Sequence, residues 1–299
     1  MIMDLDCGAG CGAADASPRR STASRRVATS LFAGDPCREQ DQNPMHALPS
    51  YATAVTVTLC SIVVAVMAAI SYVAARQHGS DHRSAVAVTL GVGAILAAWL
   101  AAAAAIGGAE VFLARPSSAV PAIAGGVAIP IVTGVLLTRI PAVRDALAHP
   151  RMLALLTLTN SWRVVGIVFI TLYLQHLLPA QFALPAGIGD VAIGLAAPFV
   201  AYALWKRPAN RRPGIIFHTL GLLDLVTAIA LGLTSAPVAL QIFTTQPNTL
   251  PMTVLPEVLV PTFLVPLGVI IHITALQILT RPSVGAIRPP VSTSRAQAA

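Results

Sequence analysis

Three observations predict an all-α fold, a polytopic transmembrane bundle of about seven spans. Of 299 residues, 56% are hydrophobic and only 10% are charged, where an ordinary soluble domain carries about 25% charge. Too little charge remains to solvate a globular surface, so lipid must be the solvent for most of the chain. The apolar residues gather into seven runs, near 51–74, 85–108, 119–139, 155–178, 184–205, 214–235 and 254–280. Each is long enough for a hydrocarbon core that takes about 20 helical residues. None shows the two-residue alternation of a barrel strand, and an open strand edge cannot face lipid.

Ahead of the first run, residues 1–49 are rich in Ala, Ser, Asp and Arg without apolar periodicity, which predicts a disordered tail. Ser24-Arg25-Arg26 has the start of a twin-arginine signal. The apolar stretch Val27 to Gly34 behind it is short and ends at Asp35, which argues against a cleaved leader. Met45, just before the first span, is an alternative start. Cys7, Cys11 and Cys37 in the tail and Cys60 in the first span lack the paired spacing of a zinc site or a disulfide framework. Residues 50–281 form the spanning domain, and 282–299 are expected to be a disordered cytoplasmic tail.

Orientation follows from the loops. Those after the first, third and fifth spans, together with the C-terminal tail, hold Arg76, Arg83, Arg139, Arg144, Arg151, Lys206, Arg207, Arg211, Arg212, Arg281, Arg288 and Arg295. The intervening loops hold Arg115 alone. Because the side rich in Lys and Arg stays inside, the N-terminus is predicted outside and the C-terminus inside. Trp205 beside Lys206 suits an inner interface. The net charge of +7 comes from these short clusters. They form no aromatic-rich basic face, which excludes nucleic acid as a partner and leaves the lipid bilayer.

Small residues suggest where helices meet. Gly93, Ala97, Ala101 and Ala105 recur every four residues in the second span, and Ala122, Gly126 and Gly134 line the third with Pro130 in register. Such faces let backbones approach closely, since apolar side chains gain little by leaving lipid. Pro256, Pro261 and Pro266 interrupt the last span and free carbonyls that a neighbour must satisfy.

The residues able to carry chemistry are the ionisable groups within spans, each costing about 2.5–3.5 kcal/mol near a helix centre. Counting helical rise from the loops sorts them into two tiers. An inner-to-middle tier holds Arg163, His218, Asp224 and His272, with Asn160 one turn from Arg163. There Arg163 is expected to pair with Asp224, as a lock or as part of a substrate or proton path. An outer tier holds Glu110, His176, Asp190 and Glu257. Gly187, Asp190 and Gly194 share one helical face, so Asp190 is expected to point at another helix and to look towards Glu257. By this count Arg163 and Asp190 lie at different depths and do not pair. Gly187-Ile-Gly-Asp190 and Gly221-Leu-Leu-Asp224 echo one another on consecutive, oppositely directed helices, an arrangement familiar from inverted repeats.

No cofactor or metal is assigned. His78 and His82 flank Asp81 but lack a further ligand. Of the span histidines only His218 and His272 share a depth that a bis-histidine haem would need. Retinal is excluded, because its Schiff base needs a lysine in the last span and the one lysine, Lys206, lies in a loop. There is no phosphate loop, nucleophile elbow or zinc-protease helix, so no catalytic residue is named.

Trp162-Arg163-Val-Val-Gly166, Leu178-Pro179-Ala180-Gln181-Phe182-Ala183, Ala186-Gly187-Ile-Gly189-Asp190 and the stretch from Pro261 to His272 resemble uncharacterised bacterial multi-spanning membrane proteins. The resemblance covers mainly the fourth to seventh spans. It implies a bacterial inner-membrane location and says nothing about substrate. The leading expectation is proton- or ion-coupled transport of a small solute. The alternatives are a non-catalytic partner or sensor subunit whose buried charges are structural, with protein partners unspecified, and a membrane enzyme acting on a lipid-linked substrate.

Overall fold

Lipid-compatible runs become helices because a backbone out of water must satisfy its own hydrogen bonds. A computed structural model describes residues 48–147 and 150–280. The helices are α1 (Ser50–Gln77), α2 (His82–Gly108), α3 (Ala122–Leu137), the short α4 (Pro141–Leu147) and α5 (Pro150–Thr159). A 3₁₀ turn (Asn160–Gly166) joins α5 to α6 (Ile167–Leu174). Then come α7 (Ala180–Lys206), α8 (Arg212–Thr234), a 3₁₀ turn (Leu250–Thr253), a π-helical turn (Val260–Leu264) and α9 (Val265–Thr280). No strand occurs among the described residues.

Six helical segments are long and apolar enough to cross a membrane: Ser50–Gln77, His82–Gly108, Arg151–Leu174, Ala180–Lys206, Arg212–Thr234 and Val260–Thr280. The third apolar run yields a shorter helix of 16 residues, Ala122–Leu137. Large apolar side chains such as Leu90, Ile129, Leu136, Phe199 and Leu223 point outward, the reverse of a water-soluble surface. The tail and its cysteines, the alternative start and the C-terminal tail lie outside the described residues. The exceptions are Leu48 and Pro49, and Leu48 packs with Tyr51 against the cluster around Phe169 and Leu172.

Tertiary contacts sort the loops into two ends. His78 Nε2 meets the Ala146 carbonyl at 3.2 Å, the Arg151 guanidinium stacks 5.3 Å from the Trp205 ring centre, and Arg211 donates to the Leu279 carbonyl at 3.1 Å. These contacts gather the arginine-bearing connections at one end. At the other, Tyr51 donates to Gln175 at 2.9 Å, Gln181 donates to Thr245 and the Ala239 amide donates to the Ser118 carbonyl at 3.1 Å.

Helix starts and stops have local causes. Asp81 caps α2 by accepting from the Arg83 amide at 3.1 Å, and the Ser84 hydroxyl beside it holds its carboxyl below the usual range. Gly79, with φ +81°, ends α1. Its amide donates to Arg76 and the Ser80 amide to Ala75, the paired bonds of a Schellman stop.

α7 is the central helix, packed on α5, the 3₁₀ turn, α6 and α8, while α9 packs on α8 and α3. Gly126 on α3 abuts Phe112 and Thr262, and Gly134 abuts Ile270. The stripe expected to pack on α2 does not. Gly93 reaches only the Ala68 side chain, and Ala97, Ala101 and Ala105 face outward. Leu96, Ala103 and Gly107 are the buried positions instead, because the larger side chains at Leu96 and Trp99 draw that face inward. In the last span Pro266 cannot donate to the Thr262 carbonyl one turn back. Trp99 Nε1 donates to it instead at 3.1 Å.

Candidate functional site

The site begins with a break in the fourth span. Asn160 Nδ2 donates to the Leu156 carbonyl at 2.9 Å and lies 3.4 Å from that of Thr157. It competes there with the backbone amides that would continue the α-helix. The chain tightens into the 3₁₀ turn, and Arg163 emerges from it fully buried. Asn160 therefore shapes this turn, and its side chain is not among the hydrogen-bond partners of the guanidinium.

Glycines make the room. A side chain at Gly194 would strike the backbone of Val164, and one at Gly187 would meet Ile170 and the Gly166 carbonyl. Through these gaps α7 lies directly on the 3₁₀ turn. Three further glycines leave space for titratable side chains: Gly166 for Asp190, Gly189 for Asp224 and Gly221 for His272.

Arg163 sits at the centre. Its Nε donates to Asp190 Oδ1 at 2.7 Å and its Nη2 to Asp224 Oδ2. Nη1 lies 3.3 Å from the Gly221 carbonyl and 3.1 Å from His272 Nε2. His272 Nδ1 meets His218 Nδ1 at 2.9 Å, His218 Nε2 meets the Thr157 hydroxyl at 3.1 Å, and that hydroxyl donates to the Leu153 carbonyl at 2.8 Å.

Hydrogen-bond capacity fixes the protons along this chain. An arginine only donates, so His272 Nε2 accepts and its Nδ1 carries hydrogen. His218 Nδ1 then accepts, its Nε2 carries hydrogen, and Thr157 receives it. Both imidazoles are neutral, since a second proton on either would set two donors face to face. All four ring nitrogens are engaged, so neither histidine presents a nitrogen to a haem iron. The charge of the centre then reduces to one guanidinium against two carboxylates. With both ionised it carries one surplus negative charge.

The expected split of tiers is corrected here. Asp190 bonds to Arg163, which it shares with Asp224, and meets Glu257 only across a cavity that both line. The fourth span starts at Pro150, not near 155, which lifts Arg163 to about 18 Å from the Arg151 end by helical rise. Asp190 lies about 15 Å from the opposite end of α7. The two therefore meet about midway along these apolar helices, and the length of the arginine side chain closes the gap. The Gly-x-x-Asp echo gains a physical sense as well. Asp190 and Asp224, each one turn beyond a tightly packed glycine, bind two different nitrogens of one guanidinium, Nε and Nη2.

Glu257 is a separate setting, 1% exposed. Thr56 Oγ1 on α1 lies 3.1 Å from both carboxyl oxygens. No cation pairs with Glu257 among the described residues. A carboxylate left in that state is costly, so this setting favours the acid form.

Glu110 and His176 join neither setting. Both are exposed with φ of 55° and 56°, at the ends of α2 and α6. The Glu110 and Val111 amides donate to Gly107 and Ile106, and the His176 and Leu177 amides to Tyr173 and Leu172. Each residue thus fills the left-handed position of a Schellman stop that glycine usually holds. The expected outer cluster dissolves, because local backbone geometry sets where these two side chains lie.

Two cavities meet at Asp190. One of about 70 Å³ lies among α3, α6, α7, α8 and the 250–265 segment, and Asp190 is its only charged wall. The other, of about 30 Å³, is lined by Asp190, Thr56, Glu257 and Trp162.

Sequence reading did not single out Thr157, Thr56, Phe169 or Phe182. Hydroxyls in spans commonly bond their own helix, and aromatics are ordinary lipid-facing residues, so neither signals a site. The glycines around Asp190 were the legible mark. No curated protein and no solved structure matches the chain. Residues 120–280 match a family described as a domain of unknown function, DUF8737. That region contains Thr157, Arg163, Asp190, His218, Asp224, Glu257 and His272, and excludes Thr56 and Glu110. Since the match spans more than half of the sequence, the chain belongs to the DUF8737 family.

Proposed function

We propose that this is a seven-span inner-membrane protein of bacterial type, coupling proton binding at the Arg163–Asp190–Asp224 centre to movement of a small solute. One observation carries the reading: two carboxylates share one guanidinium, with both nearby imidazoles held neutral. A surplus negative charge at mid-depth must be cancelled by a proton or a cation, and a group of this kind in a membrane marks an ion or proton path. The cavities beside Asp190 supply access.

Topology is part of the proposal. Basic residues from Arg76 to Arg212 gather at one end of the bundle, against Arg115 at the other, which supports N-terminus out and C-terminus in. Helix α3, about 24 Å long by its 16 residues, spans with modest local thinning of the bilayer.

A structural lock, as in a partner or sensor subunit, is the rival, favoured by the complete burial of Arg163. Infrared difference spectra of the protein in lipid nanodiscs, between mildly acidic and mildly alkaline buffer, separate the two. Proton handling predicts one carboxylic-acid carbonyl band per chain that disappears on alkalinisation. Either Asp190→Asn or Asp224→Asn should abolish it, since each leaves one carboxylate on one guanidinium. A band that never titrates, or that survives both substitutions, overturns the reading.

A further inference from the structure

The larger cavity ends on Asp190 and is otherwise apolar. Phe169 and Phe182 stand in its wall, packed edge to face with centroids 5.7 Å apart. Its two hydroxyls spend their hydrogens on the backbone, Thr249 on the Gly232 carbonyl at 2.8 Å and Thr253 on the Leu250 carbonyl at 2.8 Å. Asp190 is the one charged acceptor in the lining. Its side chain keeps 13% exposure where Arg163 keeps none, and Arg163 occupies only Oδ1.

This lining selects by charge, by hydration and by size. An anion would find a carboxyl group and no basic side chain in these walls. A hydrated metal cation needs several oxygen ligands, and these walls supply one carboxylate. An organic ammonium needs one acceptor, gains from aromatic faces, and buries its carbons against the apolar wall. At about 70 Å³ the cavity is smaller than the 150 Å³ engineered cavity that accepts benzene, which limits the carbon body to about three or four atoms.

We propose that this cavity binds a short primary alkylammonium ion, its charged end on Asp190 between Phe169 and Phe182. The proposal rests on the proton-handling reading and names the substrate class for it. The exchange balances. The empty centre is neutral with one proton on its carboxylate pair; the ammonium arrives with one positive charge, the proton leaves to solution, and the centre is neutral again.

Calorimetry on the protein in nanodiscs tests this with n-propylammonium, n-propanol and propanoate, using buffers of different ionisation heat and empty nanodiscs as the blank. Propylammonium should bind about tenfold more tightly than propanol and release one proton per chain, while propanoate should show no binding. Asp190→Asn should erase the preference and the proton release. Gly232→Leu, which meets only Phe182 at ordinary contact distance, should fill the cavity and remove binding; Ala228→Phe is a second filler should the first fail to fold. Equal affinity for amine and alcohol, or amine binding that persists in a folded cavity-filled variant, overturns the proposal. If the carboxyl band titrates but propylammonium releases no proton, this inference falls and the proton-handling reading stands. If no band titrates, both fall.

Discussion

The two places where this protein buries carboxyl groups solve the same problem in opposite ways. Asp190 and Asp224 share Arg163, which cancels one of their two charges and leaves the other to a proton or a cation. Glu257 has a threonine hydroxyl and, among the described residues, no cation, a setting that favours the acid. Glu257 is the more deeply buried, 1% exposed against 13% and 15% for the two aspartate side chains, and its partner is a lone hydroxyl where theirs is a shared guanidinium. Identity of residue and depth in a span therefore do not assign a role; the local count of charges does.

The sharpest way to break this comparison is Arg163→Met. It leaves two carboxylates in the bundle without a cation, and thermal or denaturant unfolding in detergent should show a loss of about 3–5 kcal/mol. The triple change Arg163→Met, Asp190→Asn, Asp224→Asn should recover most of that, because no buried charge remains. Gly189→Ala is next. Its added carbon lands on the Asp224 carboxylate, and the displacement should cost about 1–3 kcal/mol and weaken the titrating carboxyl band. Thr56→Val, which removes the one donor to Glu257, should cost about 1 kcal/mol and leave that band unchanged. Glu110→Gly tests the carboxylate that belongs to neither setting. It relieves a left-handed backbone and should stabilise by about 0.5–1 kcal/mol. Glu257→Gln is the smallest. An amide replaces a neutral acid of the same shape and still accepts from Thr56, so the change should stay within about 0.5 kcal/mol. A large loss there would mean that Glu257 is charged and that the two settings are alike.

The helical membrane architecture was legible because it depends on composition and run length, which every stretch of the chain carries locally. Asp190 facing a helix was legible from Gly187 and Gly194, since small residues at helical spacing leave a lasting mark. Depth was not. A five-residue change in where the fourth apolar helix begins, set by Pro150 and by the tightening at Asn160, moved Arg163 from one tier to the level of Asp190. The alanine stripe on α2 misled for a related reason: small residues permit close packing but do not compel it, and bulkier Leu96 and Trp99 decided which face turned inward.

The sequence by itself determined that the chain forms long apolar helices able to cross a membrane, roughly which residues they take, how the arginines divide between loops, and that ionisable groups lie within the apolar segments. Those properties follow from how each segment interacts with lipid and water. Tertiary structure alone decided that one arginine serves two aspartates, that two histidines are held neutral in series behind it, and that Glu257 stands apart with Thr56. These outcomes depend on distances between segments far apart in the chain, and a hydrogen bond exists only once packing has brought donor and acceptor within about 3 Å.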